Sequence, residues 1–188
     1  MIRAKCSKLS GFIRRTVKSR NAEVLLKLFT SICRPVLEYG SPVWLPHQKN
    51  HIQCLETVQR RFTKSCLPYN IATLLSYEER LKKRNLPPLF NRLIYLSVSF
   101  VVKCLYKHNN IPSSFLPQPN NRKTDVLLFK HQYNRTNFAK FSLFRLFPRF
   151  VNSLPCDLQD LCLEPSSKCF LNALRDHLFN QDPISHSF

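Results

Sequence analysis

Between Pro87–Pro88 and Asn109 the chain reads LFNRLIYLSVSFVVKCLYKH. Leu89, Phe90, Leu93, Ile94, Leu96, Val98, Phe100, Val101 and Leu105 leave almost no polar side on a 3.6-residue wheel. A surface helix keeps one apolar stripe; a helix apolar all round must be covered on every side. The stretch to about Lys107 therefore predicts a central helix buried in a helical bundle, started by the proline pair. It is too short to be read as a membrane span. Its longest uncharged run, Leu93 to Val102, is ten residues, where spanning takes about 20.

The flanking segments supply the cover. Residues 4–19 place Leu9, Phe12, Ile13 and Val17 on one face, with Arg14, Arg15 and Lys18 pointing away. Asn21 is placed to cap a second helix over about 22–38, with Glu23 in its first turn. Leu25, Leu28, Phe29, Ile32 and Cys33 form its stripe. Pro35 lies inside and predicts a kink or break near Ser31. Gly40, Pro42 and Pro46 end the segment. A third helix is expected from Lys49 to before Pro68. Ile52, Leu55, Val58, Phe62 and Cys66 face inward; Gln53, Arg60, Arg61 and Lys64 lie elsewhere. Ser76-Tyr-Glu-Glu79 reads as a capping box opening a short helix, Tyr77 to Arg84, closed by a left-handed Asn85.

The character changes after Asn109. Pro112, Pro117 and Pro119 with Asn120 and Asn121 read as a linker over 110–121. Residues 122–151 mix Phe and β-branched residues with Lys and Arg, and are expected as extended segments packed on the bundle. A last helix is expected at about Ser166 to Phe179. The fold class is thus mainly α. A basic helical domain at 1–109 precedes a less regular, Phe-rich region at 122–188.

Charge narrows the partners. The 188 residues carry 29 Lys and Arg against 11 Asp and Glu, a net +18. Residues 1–109 hold 20 basic and 5 acidic side chains, residues 110–188 hold 9 and 6, so the excess sits in the first half. Such a balance favours a polyanion: DNA, RNA or an anionic surface. The set Arg14, Arg15, Lys18, Arg60, Arg61, Lys64, Arg80, Lys82, Lys83 and Arg84 has too few acids to pair with. These ten are the candidate phosphate contacts, which position nucleic acid without reading sequence. Tyr39, Trp44, Phe62, Tyr69 and Tyr77 are the aromatics available for base stacking. Packing is the commoner role of aromatics at helix ends, and Trp44 is expected to pack helices together.

Other chemistries find no footing. Glu78–Glu79, the one adjacent carboxylate pair, belongs to the capping turn. Two glycines do not make a phosphate-cradling loop. Cys156, Cys162, Cys169 and His177 lack a zinc knuckle's spacing, and the pairs His47/His51 and Cys104/His108 are ordinary i, i+4 coincidences. No cofactor is expected. With no apolar leader after Arg3, the eight cysteines read as reduced thiols of an intracellular protein, nuclear or cytoplasmic.

Four blocks in order add a resemblance. They are R-P-V-L-E-Y-G-S-P-V-W (Arg34 to Trp44), L-E-T-V-Q-R-R (Leu55 to Arg61), S-Y-E-E-R-L-K-K-R-N-L-P-P-L (Ser76 to Leu89) and S-L-F-R-L-F-P-R-F-V-N-S-L-P (Ser142 to Pro155). Together they resemble the segment after the palm in reverse transcriptases of LINE-type non-LTR retrotransposons, jockey- or CR1-like. Val151 stands where that family usually has Trp, and Leu146 replaces the first Phe of an F-F-P-R run. The resemblance implies a thumb that grips a template–primer duplex or the element's RNA, followed by post-thumb sequence. It implies no polymerase activity of its own, because paired palm aspartates hold the two metal ions and no Asp-Asp pair occurs here. The parent's endonuclease and palm would precede this stretch, making it a truncated copy. Two other readings stand beside it: a pseudogene remnant without activity, and a basic adaptor for protein or membrane surfaces.

Overall fold

The computed structural model describes residues 2–18, 21–68, 71, 74–106, 116–120, 128–130, 135–163 and 167–180. Most of linker 110–121 and much of 122–134 lie outside them. The described chain is mainly helical. Its helices are α1 (Ile2–Thr16), α2 (Ala22–Leu28), α3 (Arg34–Glu38), α4 (Ser41–Trp44), α5 (Lys49–Ser65), α6 (Tyr77–Lys83), α7 (Leu89–Tyr106), α8 (Asn137–Lys140), α9 (Leu143–Asn152), α10 (Cys156–Leu163) and α11 (Ser167–Asn180). The one β-type pairing among the described residues is an isolated antiparallel bridge, Pro119 to Phe129.

Local chemistry sets the boundaries. The Asn21 side chain accepts from the Glu23 amide at 2.9 Å and opens α2. Pro35 cannot donate to the Ser31 carbonyl. The helix absorbs that loss as a π-helical turn, Phe29–Cys33, in which the Arg34 amide reaches back to Phe29 O. The expected interruption is thus a widened turn between α2 and α3. Gly40, at φ +67°, turns the chain out of α3. Ser76 and Glu79 form the reciprocal capping box of α6. At its other end Asn85 sits at φ +48°, while the Leu86 amide bonds Leu81 O and the Asn85 amide bonds Lys82 O. That is the Schellman pattern of a left-handed helix stop.

α7 divides two cores. Leu89 and Leu93 pack with Cys6, Ile13, Leu25, Leu26, Phe29, Cys33, Leu37, Val58, Phe62 and Cys66 of the N-terminal helices. Phe90, Ile94, Val98, Val101 and Val102 pack with Phe147, Phe150, Val151, Leu158, Phe170, Leu174 and Leu178 of the C-terminal ones. Covered from both sides, α7 buries most of its apolar surface, although Phe100, expected to be covered, is 43% exposed. It is also, among the described residues, the one helix long and apolar enough to cross a membrane, with 61% of its span buried inside the fold.

Three expectations need correction, the first being that Ile32, expected in the apolar stripe of residues 22–38, is 41% exposed. Residues 143–152 are not extended: they form α9, and α8 and α10 flank it. Pro148 removes one amide from α9's ladder, but Leu146, Phe147, Phe150 and Val151 all bury on one face, and that burial outweighs one lost hydrogen bond. The face of α1 is also rotated. Cys6 and Ile13 are buried while Phe12 is 57% exposed, so the inward stripe runs 6, 9, 13, 17.

Candidate nucleic-acid interface

The ten candidate cations take three different places. Arg14, Arg15 and Lys18 stand exposed at the C-terminal end of α1. Arg60, Arg61 and Lys64 stand exposed on the outer face of α5, with Gln53 on the same side. Lys82 and Lys83 are exposed and Arg84 half-buried at the end of α6. Arg80 is different. It is buried, and its Nη1 donates to Leu75 O at 2.7 Å. Burial lowers its pKa. Arg80 is a cation of the fold and is withdrawn from the phosphate-contacting set.

The ends of α1 and α5 meet. Arg14, Arg15, Val17, Lys18 and Leu25 face Ser65, Cys66, Leu67 and Pro68 across a cleft of about 600 Å3. A more open groove lined by Ser7, Lys8, Gly11, Arg14 and Arg15 runs on from it along α1. Among the described residues no carboxylate lines either one. The Cys66 thiol feels both Arg84 and Arg14, yet burial outweighs them and pushes its pKa up to about 11. Arg14, Arg15, Lys18, Arg61 and Lys64 enter no ion pair among the described residues; Arg60 lies over the Tyr77 ring, 4.9 Å from its centroid.

The blocks of the resemblance converge elsewhere, around the start of α7. Glu56, buried, accepts from the amides of Leu89 (3.1 Å) and Phe90 (3.2 Å) and from the Tyr77 hydroxyl. It thereby caps the helix that Pro87 and Pro88 introduce and places an anion at its positive end. Gln59 Nε2 donates to Pro87 O at 3.0 Å and to the Tyr77 hydroxyl at 3.2 Å. Burial and the Glu56 carboxylate hold the Tyr77 phenol far above its ordinary pKa. Beside them Arg34 pairs with Glu38 at 3.1 Å, Arg92 donates to the same carboxylate, and Arg34 Nη2 reaches Pro87 O at 3.4 Å. Burial, with Arg92 nearby, draws the Arg34 pKa down to about 10 against the pull of Glu38. Sequence reasoning missed Glu56 and Gln59. Their signal was positional: both sit inside the i, i+3, i+4, i+7 stripe of α5, where a polar residue needs a buried partner.

The aromatics divide likewise. Phe62 stacks on Phe29 in the core, with ring centroids 4.5 Å apart. Tyr77 is committed to Glu56. Trp44 is half-buried against the N-terminal core and its indole donates to Tyr39 O at 2.8 Å. Tyr39 itself is 85% exposed. Tyr69 lies outside the described residues. In the fourth block, Asn152 brackets Phe129 by accepting from its amide (3.1 Å) and donating to its carbonyl (2.9 Å).

Among the described residues no three His, Cys, Asp or Glu side chains converge as a metal would need. None of the eight cysteines, all of them among the described residues, forms a disulfide. Comparison with known proteins finds no matching protein family, no matching curated protein and no matching solved structure.

Proposed function

We propose that this chain is the thumb and post-thumb part of a LINE-type retrotransposon reverse transcriptase, a non-catalytic module that grips a nucleic-acid backbone through phosphate contacts. The family assignment rests on the four sequence blocks. What supports the binding role is the clustering of unpaired cations where α1 and α5 end together. Held at one end with no carboxylate among the described lining residues, they repel each other, and a polyanion relieves that repulsion. The outer face of α5 adds Arg60, Arg61 and Lys64 along one exposed helix side, which suits the convex backbone of a duplex.

The test is a fluorescence-anisotropy titration against an RNA–DNA hybrid over a range of salt. Six engaged cations, Arg14, Arg15, Lys18, Arg60, Arg61 and Lys64, give a log–log slope of about −5, and Arg61→Ala with Lys64→Ala flattens it by about 2 whatever the probe's sequence. A folded chain that fails to bind at low salt overturns the proposal. Primer, template and nucleotides together yield no extension; measurable extension overturns the non-catalytic part.

A further inference from the structure

The α5 face and the α1 cleft differ in shape, and the difference bears on what each can hold. The α5 cations stand on an open helix surface. Arg14, Arg15 and Lys18 instead rim a recess whose 600 Å3 falls in the usual range for small-ligand pockets, about 300–1,000 Å3. The internal phosphates of a duplex lie on a convex cylinder and do not enter a recess of that size. A strand end does.

The lining fits such an end. Arg14 and Arg15 in the last turn of α1 and Lys18 just beyond it line the same cleft, so three positive charges converge. The opposite wall offers the Ser65 hydroxyl beside Leu67 and Pro68, and Val17 and Leu25 complete an apolar side. Cations next to apolar surface match a phosphate joined to a sugar and a base. The charge match favours a terminal group: a phosphomonoester carries about −1.5 to −2 at pH 7, an internal diester one negative charge. The groove beyond the cleft continues the track. Gly11 lies in it with nothing within 4 Å of where a Cβ would stand, beside Lys8, Arg14 and Arg15. The next nucleotides of the strand have room along α1.

From this, and resting on the phosphate-gripping reading above, we infer that the cleft between the ends of α1 and α5 seats the phosphorylated terminus of a single-stranded nucleic acid. The strand leaves along the groove past Gly11, and the open α5 face takes internal phosphates.

The experiment uses the full chain and three single-stranded 12-mers, dye-labelled at a hydroxyl end: one with a 5′-phosphate, one with a 3′-phosphate, one with neither. One phosphorylated probe binds about tenfold more tightly than the unphosphorylated one, the scale of two or three exposed ion pairs. Which probe it is gives the polarity of the strand. Arg15→Ala with Lys18→Ala abolishes the preference; both residues are exposed, and unchanged circular dichroism verifies the fold. Arg61→Ala with Lys64→Ala weakens all three probes by one factor and leaves the preference intact. Equal binding of the three probes by the unmodified chain overturns the terminal site while leaving the phosphate grip standing. A preference that survives Arg15→Ala with Lys18→Ala also overturns the site. Failure to bind any probe overturns the underlying reading as well.

Discussion

Replacing Glu56 with alanine removes the one acceptor that serves three buried donors. Two are the amides of Leu89 and Phe90 at the start of α7, 3.1 and 3.2 Å from the carboxylate; the third is the Tyr77 hydroxyl. Each orphaned buried group costs about 1–3 kcal/mol. Loss of an anion at a helix N-terminus adds about 0.3–1 kcal/mol. Water entering the vacated space recovers part of the cost. A net destabilisation of about 3–5 kcal/mol follows, a large share of the 5–15 kcal/mol that holds a typical domain. For a chain of this length that corresponds to a melting point lowered by roughly 6–20 °C. The assay is urea unfolding followed by circular dichroism, with Glu78→Ala, exposed in the first turn of α6, as the control. A double-mutant cycle with Tyr77→Phe isolates the pair, and a coupling of about 1 kcal/mol or more is expected for groups sharing one network. A loss below about 1 kcal/mol for Glu56→Ala, or an additive cycle, would refute the view that this carboxylate organises the junction.

The two glycines should respond in opposite directions. Gly11→Ala, in open space within α1, stabilises by about 0.5–1 kcal/mol, whereas Gly40→Ala forces a Cβ onto a backbone at φ +67° and lowers stability by about 1–2 kcal/mol, both read from urea midpoints. The thiols divide by burial: a maleimide pulse at pH 8 followed by mass spectrometry labels Cys156 and Cys169 first and spares Cys6, Cys66 and Cys162. Burial raises the pKa of these last three to about 11, so the fold favours their protonated form. Their contribution is complete below the unfolded pKa near 9 and is lost as pH rises toward 11, so stability falls across that window; a flat profile there would contradict it.

Much of the helical framework was legible because each signal was local. Asn21, the Ser76–Glu79 box, Asn85 and the Pro87–Pro88 start mark helix ends through interactions within a few residues, and the structure uses them as such. The apolarity of α7 announced burial on both sides but not by what. α9 was hidden by Pro148, which argues against a helix, and by an aromatic and basic mixture that blurs the period. Its stripe of Leu146, Phe147, Phe150 and Val151 becomes clear only when the proline is tolerated. The cleft was illegible in principle. Arg14 and Ser65 are 51 positions apart, and only packing of α1 on α5 brings their helix ends together. The burial of Arg80 is a tertiary effect of the same kind, since nothing in the run Arg80 to Arg84 distinguishes it from its exposed neighbours.

The four resembling blocks commit a set of their polar residues to the interior of the fold. Arg34, Glu38, Glu56, Gln59 and Tyr77 are tied into the junction at α7, and Asn152 holds Phe129. A chain that keeps the blocks therefore keeps an architecture, whether or not it keeps a ligand. Binding has to be asked of the exposed cations, Arg61 of the second block among them, and the two properties should separate by mutation. Changing Arg14, Arg15, Lys18, Arg61 and Lys64 together to glutamine sets two electrostatic effects against each other. Arg14, Arg15 and Lys64 lie in the last turns of α1 and α5, where a cation is worth about 0.3–1 kcal/mol against the helix dipole. Removing five unpaired positive charges relieves repulsion of similar size, screened beyond about 8 Å at physiological salt. The opposing effects nearly cancel, so the variant should unfold within about 1 kcal/mol of the parent, while its nucleic-acid binding collapses and the salt slope flattens by about 4. If the variant instead loses more than about 2 kcal/mol, twice the upper worth of one such cation, these charges serve the fold rather than a partner.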